Sequence, residues 1–405
     1  MIRRAAFLSL HTSPLVQPGS GDGGGMNVYI DELARTMVDR GVEVDVFTRA
    51  TAHSQAVDVE VTPGYRVVQI AAGPRRVLPM DALPVTVQPF ADGVIDRMRG
   101  ERYEVVHSHY WLSGWAGLVV KRAMGIPLAN SFHTLGRVKD ATRRVGEPAE
   151  SLVRIAAEHE VIAGSDCVIA STPHEADELT RRYGADPARL CVTHPGVNHD
   201  LFTPGSQQTA RKLLGWENGP VLLFVGRIQP LKGLDVAVET FGRVRREIPA
   251  ARLAVVGGPS GPRGEAELQR VRGRVEELRL EGCVEFIPAR PHQEIAAYYR
   301  AADVLLVPSR SESFGLVAAE AQACGLPVVA ARVGGLAYTV EDATSGFLVD
   351  GWDPEGFASA AVKILLNDDL AARLSKGAVE FSERFSWEVA AERLLELYAG
   401  ITAAV

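Results

Sequence analysis

The chain has 405 residues, of which 46% are hydrophobic and 23% charged, and its formal net charge is −7. This length exceeds one ordinary core and suggests two or three domains of a soluble globular protein. The acidic balance argues against a general nucleic-acid binder, and no apolar run approaches the length of a membrane span.

Apolar β-type runs alternate with helical patterns along the chain, the pattern of parallel α/β architecture. The opening MIRRAAFLSL looks like a short leader peptide, yet it runs straight into His11-Thr12-Ser13-Pro14 without a small-residue cleavage site. It reads instead as a first buried strand. Strands are predicted over 5–10, 42–48, 66–70, 105–108, 127–131, 168–171 and 189–193, with helical patterns in most intervals. The texture changes at Pro195-Gly196-Val197-Asn198, and a polar stretch from Thr203 to Gln208 follows. Strands then recur over 221–225, 253–256, 284–287, 304–307, 327–331 and 346–349. The expected organisation is an N-terminal Rossmann-like domain over 1–198 and a second over 199–385. A last helix, predicted over 387–399, has no following strand, so the tail (about 386–405) is expected to pack back on the first domain. The fold class is α/β, with two doubly wound parallel-sheet domains facing a cleft. Cys167, Cys191, Cys283 and Cys324 lie far apart along the chain with no CxxC pair, which favours reduced thiols in a cytoplasmic protein.

Five glycines fall within the seven residues 19–25, after the first strand and before a helix predicted over 28–39. Such a loop lets backbone approach an anion while helix N–H groups point at it. Gly19-x-Gly21-x-x-Gly24 also matches a dinucleotide fingerprint. However, eight residues separate it from Leu10, and the second strand ends in Thr48-Arg49, without an acid for a nicotinamide-dinucleotide ribose.

Gly226-Arg227-Ile228-Gln229-Pro230-Leu231-Lys232-Gly233 places two cations at a strand's C-terminal edge, where open α/β sheets bind ligands. Arginine offers bidentate phosphate contacts there and lysine a point charge. His107-Ser108-His109-Tyr110-Trp111 and Phe132-His133-Thr134 likewise follow strands. No ligand cluster at standard metal spacing accompanies these histidines, so hydrogen bonding to a sugar is expected. Arg154, beside Glu158 on a helix, reads as a surface ion pair worth little.

In PSRSESFGLVAAEAQACGLPVV (308–329), Glu312 and Glu320 have seven residues between them. Glu312 is expected in a loop and Glu320 about one turn inside a helix starting near Leu316. A carboxylate among such apolar neighbours must be paired or hydrogen-bonded. Two readings stand: a glutamate satisfied near a helix start, or a pair accepting hydroxyls of a bound sugar nucleotide.

Together, GDGGGMN, HSHYWLSG, His133-Thr134, GRIQPLKG and SESFGLVAAEAQACGLPVV resemble the retaining GT-B glycosyltransferases of family 4, over nearly the whole chain. The resemblance implies that Arg227 and Lys232 hold a UDP-sugar diphosphate, helped by the backbone at Gly25. It implies further that Glu320 takes the ribose hydroxyls and that Glu312 meets the donor sugar near the amides of Phe314 and Gly315. Arg290 matches a donor-side arginine, and His133 would hydrogen-bond the transferred sugar. His133, Arg227, Lys232 and Glu312 are thus the implied catalytic group. On the acceptor side the matching residues are His11, Asp22, Asn27, Tyr110, Thr134 and Arg154.

HTSPLVQPGSGDGGGMNVYI and ESFGLVAAEAQACG are most similar to family members that move N-acetylglucosamine from UDP-N-acetylglucosamine to 1D-myo-inositol 3-phosphate. Those members place a lysine on the acceptor phosphate shortly before a Leu-Pro pair. Here that stretch runs from Arg75-Arg76 to Pro84, and Met80 falls where the lysine is expected. Either Arg75 or Arg76 substitutes after a local shift, or the acceptor phosphate loses one of its cations. The resemblance calls for no catalytic cofactor or metal, allows a structural Mg2+ and a homodimer, and implies no nucleic acid and no membrane span. Three alternatives stay open. The same donor could serve a hexose phosphate, as in sucrose-phosphate synthase, or an unphosphorylated cyclitol. A UDP-sugar 2-epimerase would share fold and donor site. A nicotinamide-dependent oxidoreductase rests on the glycine fingerprint alone.

Overall fold

Segments such as VLLFV (Val221–Val225) and VLLV (Val304–Val307) are apolar at every position. Such runs suit a parallel sheet, whose two faces are both covered by helices. The computed structural model describes residues 2–19, 21–216 and 219–403. It contains β1 (Arg4–Ser9), β2 (Glu43–Arg49), β3 (Asp58–Thr62), β4 (Tyr65–Ile70), β5 (Val105–His109), β6 (Leu128–Ser131), β7 (Cys167–Ala170) and β8 (Leu190–Val192) in one sheet. The second sheet holds β9 (Val221–Val225), β10 (Arg252–Val256), β11 (Val284–Ile287), β12 (Val304–Val307), β13 (Val328–Ala331) and β14 (Gly346–Val349). The orders are β3-β4-β2-β1-β5-β6-β7-β8 and β11-β10-β9-β12-β13-β14. Every pairing is parallel except β3 with β4. Strand order reverses beside β1 and β5 in one sheet and beside β9 and β12 in the other, and loops leaving such points form ligand crevices.

All thirteen predicted strands are present, and one more, β3, was not predicted. It is a half-exposed edge strand that turns back through Pro63-Gly64, so its five residues alternate weakly and carry two acids. The helix after the glycine run also differs from expectation. It spans Gly25–Val38, because the Asn27 side chain accepts from Gly24 N–H (2.9 Å) and caps the helix from within the run. The last helix is longer than predicted, Trp387–Ala403; the remainder of the tail, and Ser20 in the glycine loop, lie outside the described residues. Cys167 and Cys191, distant in sequence, come within 2.7 Å across the neighbouring β7 and β8 as free thiols.

Each sheet carries an apolar cluster on both faces. Trp387, Ala390, Ala391, Leu394 and Tyr398 of the last helix join Phe7, Ile30 and Leu33 in one cluster of the first sheet. The chain therefore crosses between the sheets twice. The crossings touch at Gly196, where a Cβ would stand 2.1 Å from the Trp387 backbone nitrogen. The C-terminal edges of the sheets face each other. Gly258 N–H donates to the Gly19 carbonyl (3.1 Å), and Ser313 Oγ donates to the His133 carbonyl (2.6 Å).

Candidate active site in the cleft between the sheets

The loop after β9 bends at Gly226 and ends in a short 3-10 turn, Pro230–Lys232. Gly233 follows at φ +70°, and a Cβ there would lie 2.1 Å from the Pro308 carbonyl oxygen. Only glycine permits that approach, which brings the loop after β9 against the loop after β12. Lys232 Nζ consequently reaches Glu312 Oε1 at 2.5 Å, and Ser309 Oγ donates to the same oxygen at 2.9 Å.

Arg227 is placed differently. Its guanidinium packs on Gly24, where a Cβ would meet Nε at 3.0 Å. Among the described residues it forms no hydrogen bond or ion pair. Burial lowers its affinity for its proton more than Asp22 and Glu312 restore it. A partly desolvated, unpaired cation beside a glycine-rich helix N-terminus is a site prepared for an anion.

Gly315, at φ +102°, starts the helix Leu316–Ala323. Glu320 on this helix is buried and held by two donors, His292 Nε2 (2.8 Å) and Tyr299 OH (3.0 Å). Burial would lower the His292 pKa, but the Glu320 carboxylate outweighs it and raises the net value. Arg290 stands exposed at the rim. Its neighbour Ala289 accepts from Gln17 across the cleft (2.9 Å).

The facing half is built from the ends of β1, β5 and β6. Asn27 is spent inside the protein: its amide donates to Thr12 Oγ1 (2.9 Å) and the Ser13 carbonyl (2.6 Å), so it shapes the glycine loop. Tyr110 and His133 both adopt positive φ, +76° and +59°. Such strain in non-glycine residues concentrates at functional sites. Here it turns both rings from strand ends into the cleft. His11 stacks on Tyr110 with ring centroids 4.6 Å apart.

Arg154 is no surface residue, contrary to the sequence reading. It is 3% exposed, and its Nε donates to the fully buried Glu158 at 2.7 Å. Its other nitrogens donate to Glu150 (3.1 Å) and to the Thr134 carbonyl and hydroxyl (2.9 and 3.1 Å), and its guanidinium lies over the Tyr110 ring. Packing of the helix Leu152–Gly164 against Gly136 and Tyr183 buries the pair. An i,i+4 spacing looks the same on a solvated helix.

Four histidines line the floor. His109 Nδ1 lies 3.1 Å from His133 Nε2, and His107 bonds Ser131 Oγ (2.9 Å) and Tyr398 OH (2.6 Å). Burial is the main cause that holds His11, His107 and His133 down to about 3, and His109 well below its usual value. They are neutral at physiological pH, so His133 is a hydrogen-bonding group there and not a proton store. The unfolded chain takes up protons on these rings below about 6.5, whereas the folded chain does not. Stability is therefore expected to fall as pH drops from 7 to 5, by about 2 kcal/mol over that range for each of the fully buried His107 and His109. Glu175, raised by burial to about 7, works in the opposite sense, as do Glu32, raised by burial, and His292, raised by Glu320, but the four lowered histidines outnumber these three groups. Urea midpoints at pH 7 and pH 5 check this; an unchanged or higher midpoint at pH 5 would contradict it.

The cleft thus gathers Arg227, Lys232, Glu312, Glu320 and the backbone at Phe314 and Gly315 on one side and His11, Asp22, Gly25, Tyr110, His133, Thr134 and Arg154 on the other. Sequence reasoning missed Ser309, His292 and Tyr299, which orient the two glutamates, and Lys139 and Glu150 beside Arg154. Ser309 lies inside the 308–329 stretch without a role assigned to it there, the others belong to no motif, and only their contacts reveal them. Among the described residues, no three His, Cys, Asp or Glu side chains converge as a metal site, and no helix is long and apolar enough to cross a membrane.

Two α/β sheets opposed across such a cleft are the GT-B architecture. The model described as Glycosyltransferase Family 4 matches residues 23–201, and that described as Glycosyl transferases group 1 matches 206–381. The chain is 45% identical to D-inositol 3-phosphate glycosyltransferase 2 of Catenulispora acidiphila, covering 98% of this chain and 95% of that one. It is 46% identical to D-inositol 3-phosphate glycosyltransferase of Xylanimonas cellulosilytica, covering 98% and 97%. Sucrose-phosphate synthase from Thermosynechococcus elongatus superposes with a TM-score of 0.91 at 33% identity, covering 100% of both chains. Anabaena Alr3699/HepE, solved with UDP-glucose, has the same fold at 19% identity, with a TM-score of 0.77 and coverage of 98% of this chain and 99% of that one. The chain belongs to the family 4 glycosyltransferases.

Proposed function

We propose that this glycosyltransferase moves N-acetylglucosamine from UDP-N-acetylglucosamine to 1D-myo-inositol 3-phosphate with retention of configuration. The observation that carries the reading is the unpaired Arg227, set between the glycine loop and the Lys232–Glu312 pair. The printed names of the relatives at 45% and 46% identity support the acceptor. Arg227 and Lys232 bind the donor diphosphate, with the backbone at Gly25. Glu320 takes the ribose hydroxyls, while Glu312 and His133 orient the sugar. Tyr110, Thr134 and Arg154 take the acceptor phosphate, and His11 and Asp22 face its ring.

Double displacement requires a free carboxylate nucleophile. Glu312 and Glu320 are each held by two donors, and the family resemblance favours attack on the same face of the sugar that the leaving group departs from. The bond from the anomeric carbon to the β-phosphate oxygen breaks as the bond to the acceptor oxygen forms, and the departing phosphate oxygen takes the acceptor proton. Arg227 and Lys232 stabilise the charge growing on that phosphate, the largest single effect in such sites. Closure of the cleft aligns the substrates and excludes water.

The test supplies UDP-N-acetylglucosamine with inositol 3-phosphate, free inositol or fructose 6-phosphate, with and without EDTA, and reads products by mass spectrometry. Transfer to inositol 3-phosphate with EDTA present is expected. Transfer to fructose 6-phosphate alone would instead favour a hexose-phosphate acceptor, the reading that the sucrose-phosphate synthase likeness supports.

A further inference from the structure

Glu150 binds two cations at once. Its Oε1 accepts from Lys139 Nζ, and its Oε2 accepts from Arg154 at 3.1 Å. Two oxygens of one group spanning a lysine and a buried arginine is the arrangement a phosphate monoester makes with the same pair. The two carboxylates around Arg154 are not equivalent. Glu158 is fully buried and accepts from Arg154, the Gly136 amide and the Tyr183 hydroxyl. The side chain of Glu150 is 23% exposed and accepts only from its two cations. It ends a loop that joins the helices Gly136–Thr142 and Leu152–Gly164, and its backbone N–H is tied to Asp140 (2.9 Å). The carboxylate can swing out while the backbone stays.

We infer that Lys139 is a cation of the acceptor-phosphate pocket and that Glu150 occupies the phosphate's place until the acceptor displaces it. This rests on the acceptor reading above and deepens it. Met80 carries no charge and Arg75 and Arg76 stand exposed, whereas Lys139 shares Glu150 with Arg154, so Lys139 supplies the second cation. Glu150 keeps both cations paired, and an unpaired buried charge is costly. It also sets a threshold: an acceptor without a phosphate offers nothing to replace the carboxylate.

The experiment compares wild type, Lys139→Met, Lys139→Arg and Glu150→Gln. Lys139→Met is expected to lower the ratio of kcat/KM for inositol 3-phosphate over free inositol by about tenfold or more, the usual weight of one charge-assisted hydrogen bond. Lys139→Arg should restore most of that ratio. Glu150→Gln should lower the KM for inositol 3-phosphate several-fold by weakening the competing anion. UDP affinity, measured by calorimetry, reports intact folding in each variant. An unchanged ratio in Lys139→Met together with an unchanged KM in Glu150→Gln overturns the inference. If wild type transfers to no phosphorylated acceptor, the acceptor reading fails separately. Calorimetric binding of inorganic phosphate then decides: weaker binding in Lys139→Met upholds the pocket, and equal binding overturns it.

Discussion

Arg227→Ala is expected to cut kcat/KM for the UDP-sugar by about 10²–10³-fold, the usual loss when a preorganised stabiliser of transition-state charge is removed. The same variant should melt no lower than wild type. Arg227 has no hydrogen-bond or ion-pair partner among the described residues, and burial holds its proton less tightly than usual. The folded protein therefore bears a desolvation cost that the variant relieves. Activity lost with stability kept is the mark of a binding cation, and stability given up for function is common at such sites. Arg227→Lys should recover little, because lysine offers a point charge where the guanidinium offers a fork. The check is a thermal midpoint beside steady-state kinetics. A large fall in midpoint, or activity within a fewfold of wild type, would remove Arg227 from the donor site.

The second large effect is on stability. Glu158→Ala is expected to cost about 3–5 kcal/mol, the range for breaking a buried ion pair from one side. The loss strips Arg154 of its closest partner and leaves the Gly136 N–H and Tyr183 hydroxyl without their acceptor. The exposed Arg393–Glu396 pair is the contrast: its side chains are 56% and 60% exposed, and Glu396→Ala should cost less than about 1 kcal/mol. Urea unfolding of the two variants under one condition measures the difference. Equal midpoints would mean that the Arg154–Glu158 pair is solvated after all.

Much of the molecule was legible along the chain because hydrophobic burial in a parallel sheet leaves a local trace. A strand covered on both faces is a continuous apolar run, so thirteen of fourteen strands could be read directly. β3 escaped because its sequence, DVEVT, sets two acids among its apolar residues and forms no apolar run, although Pro63-Gly64 marked the turn. Phosphate-binding loops were legible for a related reason: they need glycines and cations at fixed offsets from a strand end, and those offsets are local in sequence.

The amino-acid sequence by itself determined two α/β units, the loops at their strand ends, and the residue types presented there. Only the tertiary structure decided which of those residues are free. Lys232 meets Glu312 across 80 positions and Glu320 meets His292 across 28, while Arg227 is left unpaired. Burial likewise turns the Arg154–Glu158 pair from a surface detail into a support of the cleft, and it keeps four histidines neutral. Pairing and desolvation depend on what the fold brings alongside a side chain, and no spacing along the chain encodes that.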